Sequence, residues 1–240
     1  MKKNNYNNYR NFKDWNSSDF GYISKEDETY FNCEFNNISK EGIDNKRVLE
    51  LGFGNGAFAA WSTQKDCEYF GTELISELVL KGKESGFNVF DAFASLGKEI
   101  TANSIDYVVA FDVFEHLSKE EIDLKLNDCW KILKNGGELI GRVPSGDSPF
   151  SAPIQNGDFT HKISLGSSMI RQIAISNGYT VKVIRSPSMP LMGLGLKSFA
   201  RRLIIKVIRG FCYPLISNIF MGGGSPVLTP NLIFILKKVK

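Results

Sequence analysis

Glu50-Leu51-Gly52-Phe53-Gly54-Asn55-Gly56 is the stretch on which the fold turns. It completes the short apolar run Arg47–Leu51, which reads as a buried strand, and it leads into Ala57–Gln64, which reads as a helix. Three glycines in five residues at such a junction let the backbone approach a ligand closely, and a helix N-terminus offers unpaired N–H groups to it. Gly52, Gly54 and Ala57 also satisfy the dinucleotide pattern G-x-G-x-x-G/A, so this stretch alone leaves a nicotinamide-dependent oxidoreductase open.

Outward from this turn the periodicity alternates. Glu68–Thr72 reads as a second strand, Ile75–Glu84 as a helix, Phe87–Phe90 as a third strand and Ile105–Phe111 as a fourth. Ser118-Lys119-Glu120-Glu121 is a capping box, followed by Ile122, Leu126, Cys129 and Leu133 at helical spacing and by the stop signal Asn135-Gly136-Gly137. Strand five is Glu138–Val143. A loop over 144–166, long enough to carry function, leads to a helix over Ser167–Asn177, a strand Tyr179–Arg185 and a last strand Asn231–Lys237. Upstream, Ser24-Lys25-Glu26-Asp27 opens a helix to about Lys40 behind a polar, aromatic-dotted stretch over 1–22. Strands and helices alternating in this way predict an α/β Rossmann-like fold. Its sheet is mostly parallel and seven-stranded, with helices on both faces and a helical insertion before the last strand. The chain divides into a helical leader (1–45), a core (46–188) and the insertion with the final strand (189–240).

Composition sets the outer limits. At 240 residues, 42% hydrophobic and 23% charged, the chain has ordinary globular usage, which excludes a disordered, collagen-like or wholly membrane-embedded protein. The net charge of +3 is too mild to argue for nucleic acid. Cys33, Cys67, Cys129 and Cys212 are scattered, and with only His116 and His161 beside them no pair has metal-ligand spacing, so no metal is expected. Met1-Lys2-Lys3 runs into Asn- and Tyr-rich sequence without an apolar core, so a cytoplasmic, reduced-thiol setting is expected.

Functional loops of a parallel sheet lie at the carboxyl ends of its strands. The candidates there are Glu50 and the glycines Gly52, Gly54 and Gly56 after strand one, Glu73 after strand two, Asp91-Ala92 after strand three, and Asp112 to His116 after strand four. An acid about twenty residues beyond the glycines suits a ribose diol, and Glu73 supplies it. The acidic E-x-G-x-G-x-G, the Asp91-Ala92 pair and Phe111-Asp112-Val113-Phe114-Glu115-His116-Leu117 together resemble, in order and interval, the motifs of class I S-adenosylmethionine-dependent methyltransferases. That resemblance implies S-adenosylmethionine as cofactor, held by Glu50, Gly52, Gly54, Gly56, Glu73, Asp91, Ala92 and Asp112.

Val48–Phe58, Gly141–Phe150, Gly157-Asp158-Phe159-Thr160-His161, Gly193–Leu196, Ala200–Leu203 and Leu228–Leu232 resemble, more narrowly, bacterial methyltransferases associated with surface-polysaccharide synthesis. This implies an acceptor that is a sugar hydroxyl or an activated sugar precursor. A hydroxyl gains from a base that takes its proton as attack proceeds, and His116 or His161 could be that base. Arg142, Asp147 and Asp158 are candidates for holding acceptor hydroxyls or a phosphate. A phenolic or phosphorylated acceptor, and a non-catalytic cofactor-binding scaffold, remain alternatives.

Leu203–Phe220 is broken by Lys206, Arg209, Gly210 and Pro214 and falls short of the ~20 apolar residues of a spanning helix. Within 197–220, Phe199, Ala200, Leu203, Ile204, Val207 and Phe211 share one arc of a helix while Arg202, Lys206 and Arg209 cluster opposite. The expected uses are a cap over the acceptor pocket, contact with a second subunit, or peripheral contact with an anionic membrane at its inner face.

Overall fold

A computed structural model describes residues 20–39 and 42–239. The polar stretch over 1–19 lies outside the described residues, as does Lys40, where the first helix was expected to end. That helix, α1 (Lys25–Ile38), is capped by Ser24, whose hydroxyl accepts the Asp27 N–H. The glycine turn joins β1 (Arg47–Leu51) to α2 (Ala57–Thr63), and β2 (Glu68–Glu73), α3 (Ser76–Glu84), β3 (Asn88–Asp91), the short α4 (Leu96–Glu99) and β4 (Ile105–Phe111) follow. A 3-10 turn, Phe114–His116, leads to α5 (Lys119–Ile132), which has the full reciprocal capping box between Ser118 and Glu121.

β5 runs Leu133–Pro144, so the expected stop signal falls inside the strand, beside an irregular register between Ile105 and Tyr107. The loop expected over 144–166 is largely structured. It holds a 3-10 turn at Pro149–Ser151, α6 (Ala152–Gln155) and a bridge from Ser145 to Leu165. α7 (Ser167–Ser176), β6 (Tyr179–Arg185), α8 (Leu196–Phe220) and β7 (Asn231–Lys238) complete the chain.

The strands form one seven-stranded sheet in the order β3-β2-β1-β4-β5-β7-β6. β7 enters between β5 and β6 and is antiparallel to both, while the remaining pairs are parallel. The reversal of strand order beside β1 and β4 opens the crevice at their carboxyl ends where ligands bind in open α/β sheets. Two apolar clusters cover the two faces. One holds Leu49, Leu51, Val108, Leu126 and Leu139. The other holds Val48, Val109 and Ile140 under the aromatic rings of Phe31, Phe35, Phe58 and Trp61. Alternation along β1 and β4 explains this division, since neighbouring residues face opposite sides. At the far end of β7, the buried Lys238 ammonium donates to Asn103 Oδ1, Trp130 O and Leu133 O, capping carbonyls at the end of α5.

Candidate active site

The carboxyl ends of β1, β2 and β4 open into a cleft of about 750 Å³. Its walls include Glu50, Gly52, Gly54, Glu73, Asp112 and His116. Gly52, Gly54 and Gly56 all have positive φ (70°, 54° and 78°), so the turn that the sequence marked needs a left-handed backbone three times. Gly52 N–H and Phe53 N–H both donate to Thr72 O, and Gly54 N–H donates to Glu73 Oε2 at 3.0 Å. Glu73 Oε1 accepts the Leu74 and Ile75 N–H groups at 2.7 and 3.0 Å. The Glu73 carboxyl thus ties the glycine turn to the end of β2 while lining the cleft. Burial pushes its pKa up against these three donors.

Glu50 is the more unusual acid. It is 5% exposed, and burial drives its pKa up to about 8, opposed by a 2.7 Å bond from the Tyr69 hydroxyl and assisted by the nearby Glu73. The register explains how Tyr69 reaches it. Glu50 stands opposite Gly71, and a Cβ at Gly71 would lie 2.5 Å from Tyr69 Oη. The missing side chain leaves the passage through which the phenol crosses to the carboxyl.

Asp112 has φ of 58°, a left-handed conformation uncommon for a residue with a Cβ and often found at functional sites. Its carboxylate makes a two-pronged pair with Arg142, through Nε at 3.0 Å and through Nη2. The guanidinium also stands over the Phe111 ring at 5.0 Å and the Tyr30 ring at 5.7 Å. Arg142 lines the cleft with its Nε and Nη2 turned to Asp112.

Asp91 is not among the residues lining the cleft. Its Oδ1 accepts the Phe93 N–H at 2.9 Å and shapes the turn that brings Ala92, Phe93, Ala94 and Ser95 to the wall. Asp147 also stands elsewhere. Its Oδ1 accepts the Ser167 N–H at 2.9 Å at the start of α7, and its Oδ2 takes the Ser167 hydroxyl and the Val227 N–H. Its carboxylate is therefore spent on joining three chain segments rather than facing an acceptor.

The two histidines come together, with ring centroids 4.7 Å apart and edge-to-face. His116 lines the cleft and His161 does not. His161 Nδ1 donates to Gln155 O at 2.9 Å, and its Nε2 is 3.9 Å from Asp158 Oδ2. His116 Nδ1 lies 2.9 Å from Thr160 Oγ1, and Thr160 in turn donates its hydroxyl hydrogen to Asp158 Oδ1. Because Thr160 has one O–H and spends it on Asp158, it accepts from His116 Nδ1–H, and the neutral ring then carries its lone pair on Nε2. Asp158, the third acceptor candidate, is not in the cleft lining and stands beside Thr160 and His161.

Thr160 went unassigned in the sequence, although its place two residues after an aspartate is a turn signature, and its N–H does bond Asp158 Oδ1 at 3.0 Å. Tyr69, which bonds Glu50, and the wall residues Tyr30 and Phe31 of α1 carried no local signal, and Asp27 carried only a helix-capping one. Glu115, His116 and His161 also bring ligand atoms within 4.8 Å of one another, a cluster that sequence spacing did not reveal.

Residues 49–141 match the protein family described as "Methyltransferase domain". Phosphoethanolamine N-methyltransferase of Plasmodium falciparum is 31% identical over 102 residues, which is 40% of this chain. The matched region spans 38% of that relative's length. Among solved structures, a SAM-dependent methyltransferase from Archaeoglobus fulgidus superposes with a TM-score of 0.60 at 20% identity, covering 90% of this chain and 95% of the other. An S-adenosylmethionine-dependent methyltransferase from Mesorhizobium loti gives 0.55 at 12% identity, covering 82% and 92%. The fold is that of the class I methyltransferases, and the matched residues carry most of β1 to β5, five of the seven strands, with much of the cleft wall. The cofactor of that domain is S-adenosylmethionine, and the cradle fits it: a glycine turn open to close approach, with a buried carboxyl at its edge for a cationic ligand.

Proposed function

We propose that the protein, whose fold is that of the class I methyltransferases, transfers a methyl group from S-adenosylmethionine to a hydroxyl oxygen of a sugar or activated sugar precursor. The observation that carries this reading is His116, a cleft-lining imidazole whose Nδ1 is held by Thr160 and Asp158. When bound, S-adenosylmethionine supplies the electrophilic methyl. Glu50, Glu73 and the glycine turn orient the donor, and the Asp112–Arg142 pair with Tyr30 and Phe111 fixes the opposite wall. His116 Nε2 takes the hydroxyl proton as the oxygen attacks, and Thr160 and Asp158 stabilise the imidazolium that forms. Holding the two reactants in line supplies most of the rate gain. The chemistry needs no metal from the Glu115–His116–His161 cluster.

The sugar class is supported by the segment Gly157–His161, which resembles the polysaccharide-associated group and supplies both residues that hold His116. A second reading, methylation of an amine on a phosphorylated acceptor, is favoured by the similarity to the Plasmodium N-methyltransferase over 102 residues. The test is S-adenosylhomocysteine release with nucleotide sugars and with phosphoethanolamine as acceptors, followed by mass spectrometry of the product. A methyl ether on the sugar supports the first reading. Turnover of phosphoethanolamine alone replaces it with the second.

A further inference from the structure

α8 is built inside out. Ile204, Val207, Ile208, Phe211, Leu215 and Ile219 are each 52–78% exposed and fall on one side of the helix at 100° per residue. The opposite side faces the protein, and its buried residue is an arginine. Arg202 donates to Glu26 Oε1 at 2.6 Å and to Pro190 O at 2.7 Å, pinning the second turn of α8 to α1 and to the preceding loop. The arc of Arg202, Lys206 and Arg209 is therefore not a uniformly solvated stripe, and the apolar arc caps no pocket. Gly210 and Pro214 do not break the segment either, which is one helix of 25 residues. By length and composition it could cross a membrane.

Its tether decides against crossing. Val227 and Leu228 are buried in the body, where Ser145 Oγ donates to Val227 O at 2.6 Å and Ser148 Oγ to Leu228 O at 2.8 Å. Only residues 221–226 join the helix to this anchor, and the seven steps from Phe220 to Val227 reach at most about 25 Å. A hydrocarbon core is about 30 Å thick, so α8 cannot end on the far side and return. It can lie flat along the surface, about 37 Å long.

Charge selects the surface. From Phe159 to Lys240 the sequence holds twelve Lys and Arg and no Asp or Glu. Lys162, Lys182, Arg185 and Arg202 are paired with Glu121, Glu138, Glu34 and Glu26, and Lys238 is buried, so the cations on α8 itself carry the argument. Lys197, Arg201 and Lys206 on α8 itself are exposed. A second copy packed on the same face would bring cationic helix against cationic helix, whereas an anionic bilayer neutralises both. We propose that α8 lies in the interface of an anionic membrane, its apolar face in the acyl boundary and the exposed Lys197 and Arg201 among the headgroups.

Flotation of the full chain with vesicles tests this, using phosphatidylcholine alone and an equimolar mixture with phosphatidylglycerol. The wild type should float with the anionic vesicles, and less at high salt. Val207→Glu with Phe211→Glu should weaken vesicle binding by at least about tenfold, since both residues are expected to be buried in lipid. Thermal unfolding should remain unchanged, because both side chains point away from the body. Lys197→Glu with Arg201→Glu should remove the preference for phosphatidylglycerol. A wild type that stays with the soluble fraction overturns the proposal. So does a stable dimer in sedimentation equilibrium that Phe211→Glu dissociates while vesicles fail to bind.

Discussion

Glu50 should make cofactor binding pH-dependent in a direction opposite to that of an ordinary carboxylate site. With its pKa near 8, the carboxyl of the ligand-free protein is about nine-tenths protonated at pH 7. S-adenosylmethionine carries a sulfonium and an ammonium, and a cation beside the carboxyl favours the carboxylate, so binding expels the proton. If the bound-state value falls below about 6, apparent affinity should rise roughly fifteenfold between pH 6.5 and 8.0, with close to one proton released per cofactor at pH 7. Calorimetry in two buffers of different ionisation enthalpy measures both quantities. Glu50→Gln, which mimics the protonated form and can still accept from Tyr69, should flatten the profile. The sign for folding is the reverse. A carboxyl whose folded value is raised contributes fully below its unfolded value of about 4.5 and loses that contribution as pH rises towards 8, so Glu50→Gln should unfold at a higher temperature than wild type above pH 8. A wild-type affinity that stays flat across this range, or a Gln variant that keeps the slope, would refute the reasoning.

Thr160→Val removes the hydroxyl between His116 and Asp158 and should lower kcat by roughly ten- to a hundredfold, with cofactor Kd unchanged and the pH profile displaced. Thr160→Ser should restore both, and equal kcat in the Val variant would detach this group from catalysis. Gly71→Ala sets a Cβ 2.5 Å from Tyr69 Oη and should displace the phenol from Glu50 at a cost of about 1–3 kcal/mol in denaturant unfolding. Asp147→Ala should destabilise the fold by about 1–3 kcal/mol through loss of its bonds to Ser167 and Val227, leaving acceptor KM as in wild type. A raised KM would return Asp147 to the acceptor site. Chelation should leave turnover unchanged, and loss of activity restored by a divalent ion would assign the Glu115–His116–His161 cluster to catalysis.

Where the sheet is concerned, the chain is easy to read because the strands other than β5, which contains Asn135-Gly136-Gly137, are bounded by their own punctuation. Glycines follow β1, and the Ser118 capping box opens α5 after β4. The cofactor half of the cleft is local in sequence, and so Glu50, Glu73 and Asp112 could be placed by motif and spacing. What contacts them is not local. Tyr69 meets Glu50 only through the register of β1 on β2, and Thr160 meets His116 across 44 positions. Asp147 and Arg142 looked like acceptor ligands because an acid or an arginine at a strand end is exposed by default. Their partners, Ser167, Val227 and Asp112, are supplied by the fold. Periodicity found the two arcs of α8 but carried no information on which arc faces the body. Burial of Arg202 against Glu26 decided that.

Turnover of S-adenosylmethionine by wild type and by His116→Gln tests methyl transfer with His116 as base most directly. S-adenosylhomocysteine release with a nucleotide-sugar acceptor should fall by a factor of roughly 10²–10⁴ in the variant, while calorimetry gives the same cofactor Kd. Equal turnover in the two proteins, or no S-adenosylmethionine binding by the wild type, would contradict it.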